Sequence, residues 1–299
     1  MKKFKMIYVA LMGVLVASCN QSDEKFENAE AEGIAPVRVH VDGYSVSQED
    51  ISGARTRAAT DIGNVNAVNA VTVAFYSGST EVEKITQLKD DNTTYDTYGE
   101  FSLSLPLGSY TMVVVAYTTK DESPFVLTSS TAAAYTGLHA YETFTYTQAV
   151  NISNTNAVDI SATLNRVVSM LTIVSTDGKT ADVSNVRMTF SAGGKDFNPT
   201  TGLAITNTGF ANMVGNSAAV GATSTSSTAF FLATDEQNID VTIETLDSDG
   251  NTLFSKTIEN VPFKRNRKTK LSGAMYTNEA LSGTFKIETA WLSDYNAEF

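Results

Sequence analysis

Phe101-Ser-Leu-Ser-Leu-Pro-Leu-Gly-Ser-Tyr-Thr-Met-Val-Val-Val-Ala-Tyr117 is the stretch that decides the fold. Phe101, Leu103 and Leu105 alternate with Ser102, Ser104 and Pro106, which gives a strand with one buried face. Pro106-Leu107-Gly108 then turns the chain. In the next segment Met112-Val113-Val114-Val115 is too continuous for a half-exposed strand, so it predicts a central strand covered on both sides. Strand, Pro/Gly turn and strand together predict a hairpin.

The same grammar extends outward. Residues 71–76 form a strand ended by Ser77-Gly78-Ser79, and residues 144–152 and 158–164 form two more. Residues 129–140 predict one short helix, with Ser129 or Ser130 as its cap. Strands are further expected at 167–175, 186–190, 230–232 and 239–245. The turn Asp247-Ser-Asp-Gly-Asn251 joins the last of these to 253–258 as a hairpin. Residues 215–228 are small and polar and read as a mobile loop. Residues 283–289 alternate once more. Thr and Val, abundant here, favour pleated sheet. Strands recur at roughly ten-residue spacing without intervening helices, the pattern of antiparallel sandwiches. The chain is therefore expected to be all-β, with β-sandwich domains at 58–162 and 163–299.

The first 57 residues read as delivery instructions. Lys2, Lys3 and Lys5 precede an apolar run of about a dozen residues, well short of the roughly 20 that span a bilayer, so residues 1–18 read as a signal peptide. Val16-Ala17-Ser18-Cys19 looks like a bacterial lipobox, and Cys19 is the only cysteine of the 299 residues. Cys19 is thus the expected lipidation site; the alternative is an ordinary secretory peptide with a chance cysteine. An acidic run, Asp23-Glu24, follows. Gly53-Ala-Arg-Thr-Arg-Ala-Ala-Thr60 sets Arg55 and Arg57 among small residues, either as an arginine-specific processing site or as a polar linker. Residues 19–57 then form a tether that also holds a candidate strand.

Composition excludes several functions. Net charge is −12, with 21 Lys/Arg against 33 Asp/Glu, which argues against nucleic acid as a partner. The only histidines are His40 and His139, and with one cysteine destined for lipid neither a thiol mechanism nor a zinc site is expected. Gly-x-Ser-x-Gly and phosphate-cradling Gly-Lys-Thr loops do not occur. No enzyme and no cofactor is expected. Asp247, Asp249 and Asn251 echo a calcium loop but lack its distal Glu, which leaves a calcium site or a plain hairpin turn. The basic run Lys264, Arg265, Arg267, Lys268 and Lys270 reads as a charge-protected edge strand or as a docking patch for an acidic neighbour.

Five features together resemble the fimbrillin family, the type V pilus subunits of Bacteroidales. They are the lipobox at Cys19, the site Arg55-Thr-Arg-Ala58, the quoted 101–110 stretch leading into a Val-rich strand, Leu164-Asn-Arg-Val-Val-Ser-Met-Leu171, and Val261-Pro-Phe-Lys-Arg-Asn266 running on to Leu271-Ser-Gly273. The resemblance implies two transthyretin-like, Greek-key sandwiches. It also implies a lipoprotein precursor at the outer membrane whose first strand is cut away by an arginine-specific protease. The groove left behind takes a C-terminal strand from another copy or a related subunit, and the resulting fimbria supports adhesion to host or bacterial surfaces. Val37, Val39 and Val41, alternating with Arg38 and His40, match the removable strand. Phe285 and Ile287, alternating with Lys286 and Glu288, match the donor, with Trp291 as an anchor. An anchor or tip subunit, or a monomeric glycan-binding lipoprotein using Tyr135, Tyr141 and Tyr146, are the alternatives.

Overall fold

The structure, a computed structural model, describes residues 33–49, 55–60, 68–91, 93–277 and 285–291, with the backbone alone at 44–49, 55–60 and 288–291. Its elements are all strands. The first half of the chain holds β1 (Ile34–Glu49), β2 (Arg55–Thr60), β3 (Ala70–Ser77), β4 (Thr80–Leu88) and β5 (Glu100–Pro106). It continues with β6 (Gly108–Tyr117), β7 (Phe125–Ser129), β8 (Ala132–Tyr135), β9 (Thr143–Ile152) and β10 (Val158–Arg166). The second half holds β11 (Ser169–Ser175), β12 (Asn185–Phe190), β13 (Asp196–Asn198), β14 (Leu203–Ala204) and β15 (Phe210–Gly215). It ends with β16 (Thr225–Phe230), β17 (Glu236–Leu246), β18 (Thr252–Lys264), β19 (Arg267–Gly273) and β20 (Lys286–Trp291).

One large sheet runs β2-β1-β10-β9-β6-β3-β4, with β5 added against β1. β6 lies inside it, between β3 and β9. Met112 and Val114 enter a core with Phe75, Phe101, Phe144 and Leu164. Val113 and Val115 enter a second core with Tyr135, Phe197 and Phe231 on the opposite face. Both faces of the valine run are covered, as its continuity predicts. The expected β5–β6 hairpin does not form. β5 pairs with β1 across residues 34–40, and β6 pairs elsewhere. The Pro106-Leu107-Gly108 corner instead carries the chain from β5, beside β1, to β6, between β3 and β9. Leu107 N–H is satisfied by the Gly33 carbonyl at 2.8 Å and Tyr110 Oη–H by the Pro106 carbonyl at 2.7 Å.

Two four-stranded sheets, β16-β11-β19-β20 and β15-β12-β17-β18, make up most of the second half. Leu171, Ile173 and Leu271 from the first share a core with Val186, Phe190, Val241, Ile243 and Val261 from the second. A small sheet, β14-β13-β8-β7, draws on both halves of the sequence, since β8 pairs with β13 through Asp196↔Ala134 and Phe197↔Ala133. That pairing replaces the helix expected at 129–140. Ala133 and Tyr135 are buried at alternate positions of a β7–β8 hairpin, and tertiary pairing overrides the helical preference of the alanines.

Two further expectations need correction. The loop read at 215–228 gives way to strand at Thr225, where Thr228 accepts from Asn212 Nδ2 at 3.0 Å and Ser227 hydrogen-bonds Thr172 at 2.9 Å. Its remainder is pinned by Lys179, whose ammonium donates to the Asn216 and Ala218 carbonyls at 2.9 and 3.1 Å. The basic run is not an edge strand. β19 lies between β11 and β20 with Thr269 and Leu271 buried, and the preceding turn pairs Lys264 with Glu236 and Arg265 with Asp235. The β17–β18 hairpin forms as expected. Asp247 accepts from the Asp249 and Asn251 amides at 2.9 and 2.8 Å and from Asn251 Nδ2 at 2.8 Å, while Gly250 supplies the left-handed residue at φ 85°. That carboxylate is occupied by its own turn. Among the described residues no group of three or more His, Cys, Asp or Glu is placed to hold a metal.

Where the two halves meet, Arg166 and Glu142 form an ion pair with side chains only 5% and 4% exposed. The guanidinium lies 5.0 Å from the Phe144 ring centre and donates through Nη1 to Asn266 Oδ1 at 3.1 Å. Removing one partner strands a buried charge, so Arg166→Ala is expected to cost about 3–5 kcal/mol in a urea titration. Replacing both by apolar residues, Glu142→Leu with Arg166→Met, should recover most of the loss. A second pair has a pH signature. Arg187 Nε and Nη2 grip Glu244 at 2.6 and 2.8 Å across adjacent strands. Hydrogen bonding to Arg187 holds the Glu244 carboxyl below its ordinary value of 4.5. Its contribution to stability is therefore complete above that value and lost as pH falls through the lowered one. Arg187→Gln should flatten that acid limb of a stability–pH curve.

Candidate assembly site

β1 is held on both edges. On one side it runs parallel to β10, with Val37 opposite Val158, Val39 opposite Ile160 and Val41 opposite Ala162. On the other it is antiparallel first to β5, with Val37 opposite Leu103 and Val39 opposite Phe101, and then to β2. The period-2 alternation seen in the sequence decides which face points inward. Ala35, Val37, Val39 and Val41 are at most 2% exposed and join the core with Phe75, Phe101, Phe144 and Leu164. Arg38, His40 and Asp42 face solvent. There Arg38 pairs with Asp159 at 3.7 Å, and His40 contacts Asp42 at 2.8 Å and Glu100 on β5. Those pairs are half-exposed and contribute little, whereas each buried valine is worth about 1.5–3 kcal/mol.

Alternation in the sequence places Val37, Val39 and Val41 on one strand but does not show how far it runs or what flanks it. The pairings of β5 involve β1 alone among the described residues. Were β1 absent, both β10 and β5 would present unpaired backbone groups, and a slot one strand wide and lined by apolar side chains would lie between them. The alternation of Phe101, Leu103 and Leu105 announced β5 as a half-buried strand, but nothing local names its partner.

Arg55 and Arg57 lie on β2, the terminal strand of the large sheet, with Arg57 opposite Ser47 and Arg55 opposite Glu49. Among the described residues β2 is paired along one edge only, so a protease that binds its substrate extended has a single described ladder to strip. A cut between Arg57 and Ala58 falls inside β2 and leaves Arg55 to Arg57 on the fragment that carries β1. Cys19 lies outside the described residues.

Last among the described strands, β20 closes its sheet against β19, with Ile287 opposite Leu271 and Trp291 opposite Arg267. Phe285, just before it, is half-buried against the second-half core. It lies so close over Gly273 that a Cβ there would meet the ring at 2.8 Å. Ile287 is 39% exposed, while the valines of β1 are sealed. Of the three tyrosines considered as a sugar platform, Tyr135 and Tyr141 are buried, Tyr135 donating or accepting a 2.9 Å hydrogen bond with Thr143 and Tyr141 donating to Glu122 at 3.0 Å, while Tyr146 is half-buried and donates to Gln148 Oε1 at 2.9 Å.

Fold and slot together define an all-β protein whose N-terminal strand completes its first sheet from inside. The chain belongs to a family of unknown function, DUF6562, matched over residues 43–298. Comparison with curated proteins gave no match. Among solved structures it is similar to a candidate adhesin from Bacteroides ovatus. Identity is 12% and the TM-score 0.51, over 88% of this chain and 96% of the other. The fimbrial anchor protein Mfa2 from Porphyromonas gingivalis gives 10% identity and a TM-score of 0.48 over 86% and 98%. The first of these likenesses is one of fold.

The alternation of β1 is testable by substitution. Val39→Ala should cost about 1.5 kcal/mol, roughly two methylene groups at ~0.8 each, whereas Arg38→Ala should stay within about 0.5 kcal/mol. Equal losses at both positions in chemical denaturation would contradict the assigned faces.

Proposed function

We propose that this protein is a subunit of a cell-surface fimbria that polymerises by exchanging β-strands. It is exported as a lipoprotein through Cys19, cut after Arg57 or Arg55, and loses the strand carrying Val37, Val39 and Val41. The vacated slot between β10 and β5 takes the C-terminal strand, bearing Phe285, Ile287 and Trp291, of another copy or a related subunit. The two halves of the chain are consecutive transthyretin-like sandwiches, the first bearing the slot and the second the donated strand. The product is a fimbria on the cell surface, with a structural and adhesive role rather than an enzymatic one.

The observation that carries this proposal is the position of β1. It is a central strand with ladders on both edges and a sealed apolar face, yet its onward connection runs through the edge strand that holds both arginines. Strand addition supplies what such a slot needs, main-chain hydrogen bonds for affinity and alternate side chains for fit. The poorly buried Ile287 on a strand paired along one edge supports β20 as the donor. The Bacteroides ovatus protein with which the chain shares its fold is described as a candidate adhesin.

The test is treatment of purified protein carrying Cys19→Ser with an arginine-specific protease, followed by mass spectrometry of the new N-terminus and an unboiled denaturing gel. A cut after Arg57 with a ladder of stable multimers is expected. A cut without multimers would replace this function with that of a tip or lone adhesin. Resistance to cutting would indicate an anchor subunit that keeps its lipid.

A further inference from the structure

The C-terminal segment is attached in two unlike ways. Asp177, in the turn after β11, accepts three consecutive backbone amides with its carboxylate: Met275 N–H at 2.8 Å, Tyr276 N–H at 2.8 Å and Thr277 N–H at 2.9 Å. It also accepts from Thr277 Oγ at 3.0 Å. Thr176 N–H binds the Gly273 carbonyl beside it at 3.0 Å. Met275 is 1% exposed in the second-half core. Tyr276 Oη accepts from Asn216 Nδ2 at 2.7 Å and hydrogen-bonds Ser224. Residues 275–277 are thus fixed by a charged acceptor, a buried side chain and a polar network together. Burial opposes the charged form of Asp177, yet the hydrogen bonds prevail and its carboxyl sits below the ordinary range.

The ladder of β20 runs along one edge, against β19, and of its side chains Lys286 and Ile287 are exposed. Phe285, just before β20, packs half-buried on the second-half core over Gly273, and among the described residues the Asp177 contacts end at Thr277.

We infer that Asp177 is the fixed root of the exchangeable C-terminal strand: the chain up to Thr277 stays with its own subunit, and β20 beyond it departs to a second copy. This rests on the strand-exchange function proposed above. Because a carboxylate accepting three successive amides fixes both position and direction, Asp177 acts as a positioning residue that sets where the donated strand leaves the subunit. A root held in place also confines the strand to a limited volume around its neighbour's slot, which raises its effective concentration there.

Hydrogen exchange by mass spectrometry, on protease-treated protein separated into monomer and multimers, decides the matter. Amides 275–277 should be equally protected in both forms, and Asp177→Asn should exchange them at least tenfold faster while leaving β12 and β17 unchanged. Loss of protection at 275–277 on polymerisation overturns the inference. Asp177→Glu, which keeps the charge, should restore protection in part, and the wild-type comparison stands alone if Asp177→Asn does not fold. A cysteine pair in Cys19→Ser protein, Lys270→Cys with Glu288→Cys, tests the departing strand, since those positions face each other across β19 and β20. Oxidised, it should abolish the multimer ladder, and reduction should restore it. A ladder that persists with the pair oxidised would sink β20 as donor. A ladder that never forms, even from wild type, removes the assembly itself and the inference with it.

Discussion

The backbone ladders on both sides of β1 are the constraint on which the first half of the molecule depends. A buried N–H or C=O without a partner is costly, so a central strand cannot be absent; it can only be replaced. β5 shows this most directly, because its described pairings are all with β1 and its inward residues Phe101 and Leu105 sit in the same core as Val37 and Val39. The four small apolar residues of β1 fill the space between β10 and β5 while the ladders align the walls. Packing and hydrogen bonding therefore place the same demand on whatever occupies the slot: an extended segment with every second side chain apolar.

The two terminal strands stand in contrast. β1 buries its apolar face to within 2% of completely and pairs along both edges, whereas β20 pairs along one edge and leaves Ile287 39% exposed. A strand in the second situation gains by moving into the first. In the assembly we propose, what prevents such movement in an intact chain is covalent: β1 occupies its own place at very high local concentration so long as the chain beyond it is uncut.

Much of this was legible from residue order alone. Period-2 alternation announced β1, β5 and β17, and the continuous valines of β6 announced burial on both faces, because both patterns are local consequences of the pleat. The Asp249-Gly250 turn announced the β17–β18 hairpin because only a few residue types tolerate its geometry. What was not legible is what depends on distant partners. Pro106-Leu107-Gly108 looks like a hairpin turn, yet β5 goes to β1, sixty or more positions away in sequence. Ala132–Tyr135 looks helical until β13 pairs with it. Lys264 to Lys270 looks like a solvated edge because its neutralising partners, Asp235 and Glu236, lie at the entry to another strand, β17. Of the candidate site, Val37, Val39 and Val41 were evident from alternation. Asp177 carries no local signal of its role, since its three amide partners are about a hundred residues downstream.

The small sheet joining β8 to β13 has a mechanical meaning. The two halves are connected in sequence only by the short step from β10 to β11, through Val167 and Val168, yet β8 and β13 bridge them a second time, and Phe197 and Phe231 stack across the same core as Tyr135. Tension applied between the ends of the molecule would divide between two routes, one covalent and one made of hydrogen bonds and aromatic packing. The second route would have to shear before the connector alone bore the load, so the molecule should behave under pull as a stiff rod and not as two beads on a string.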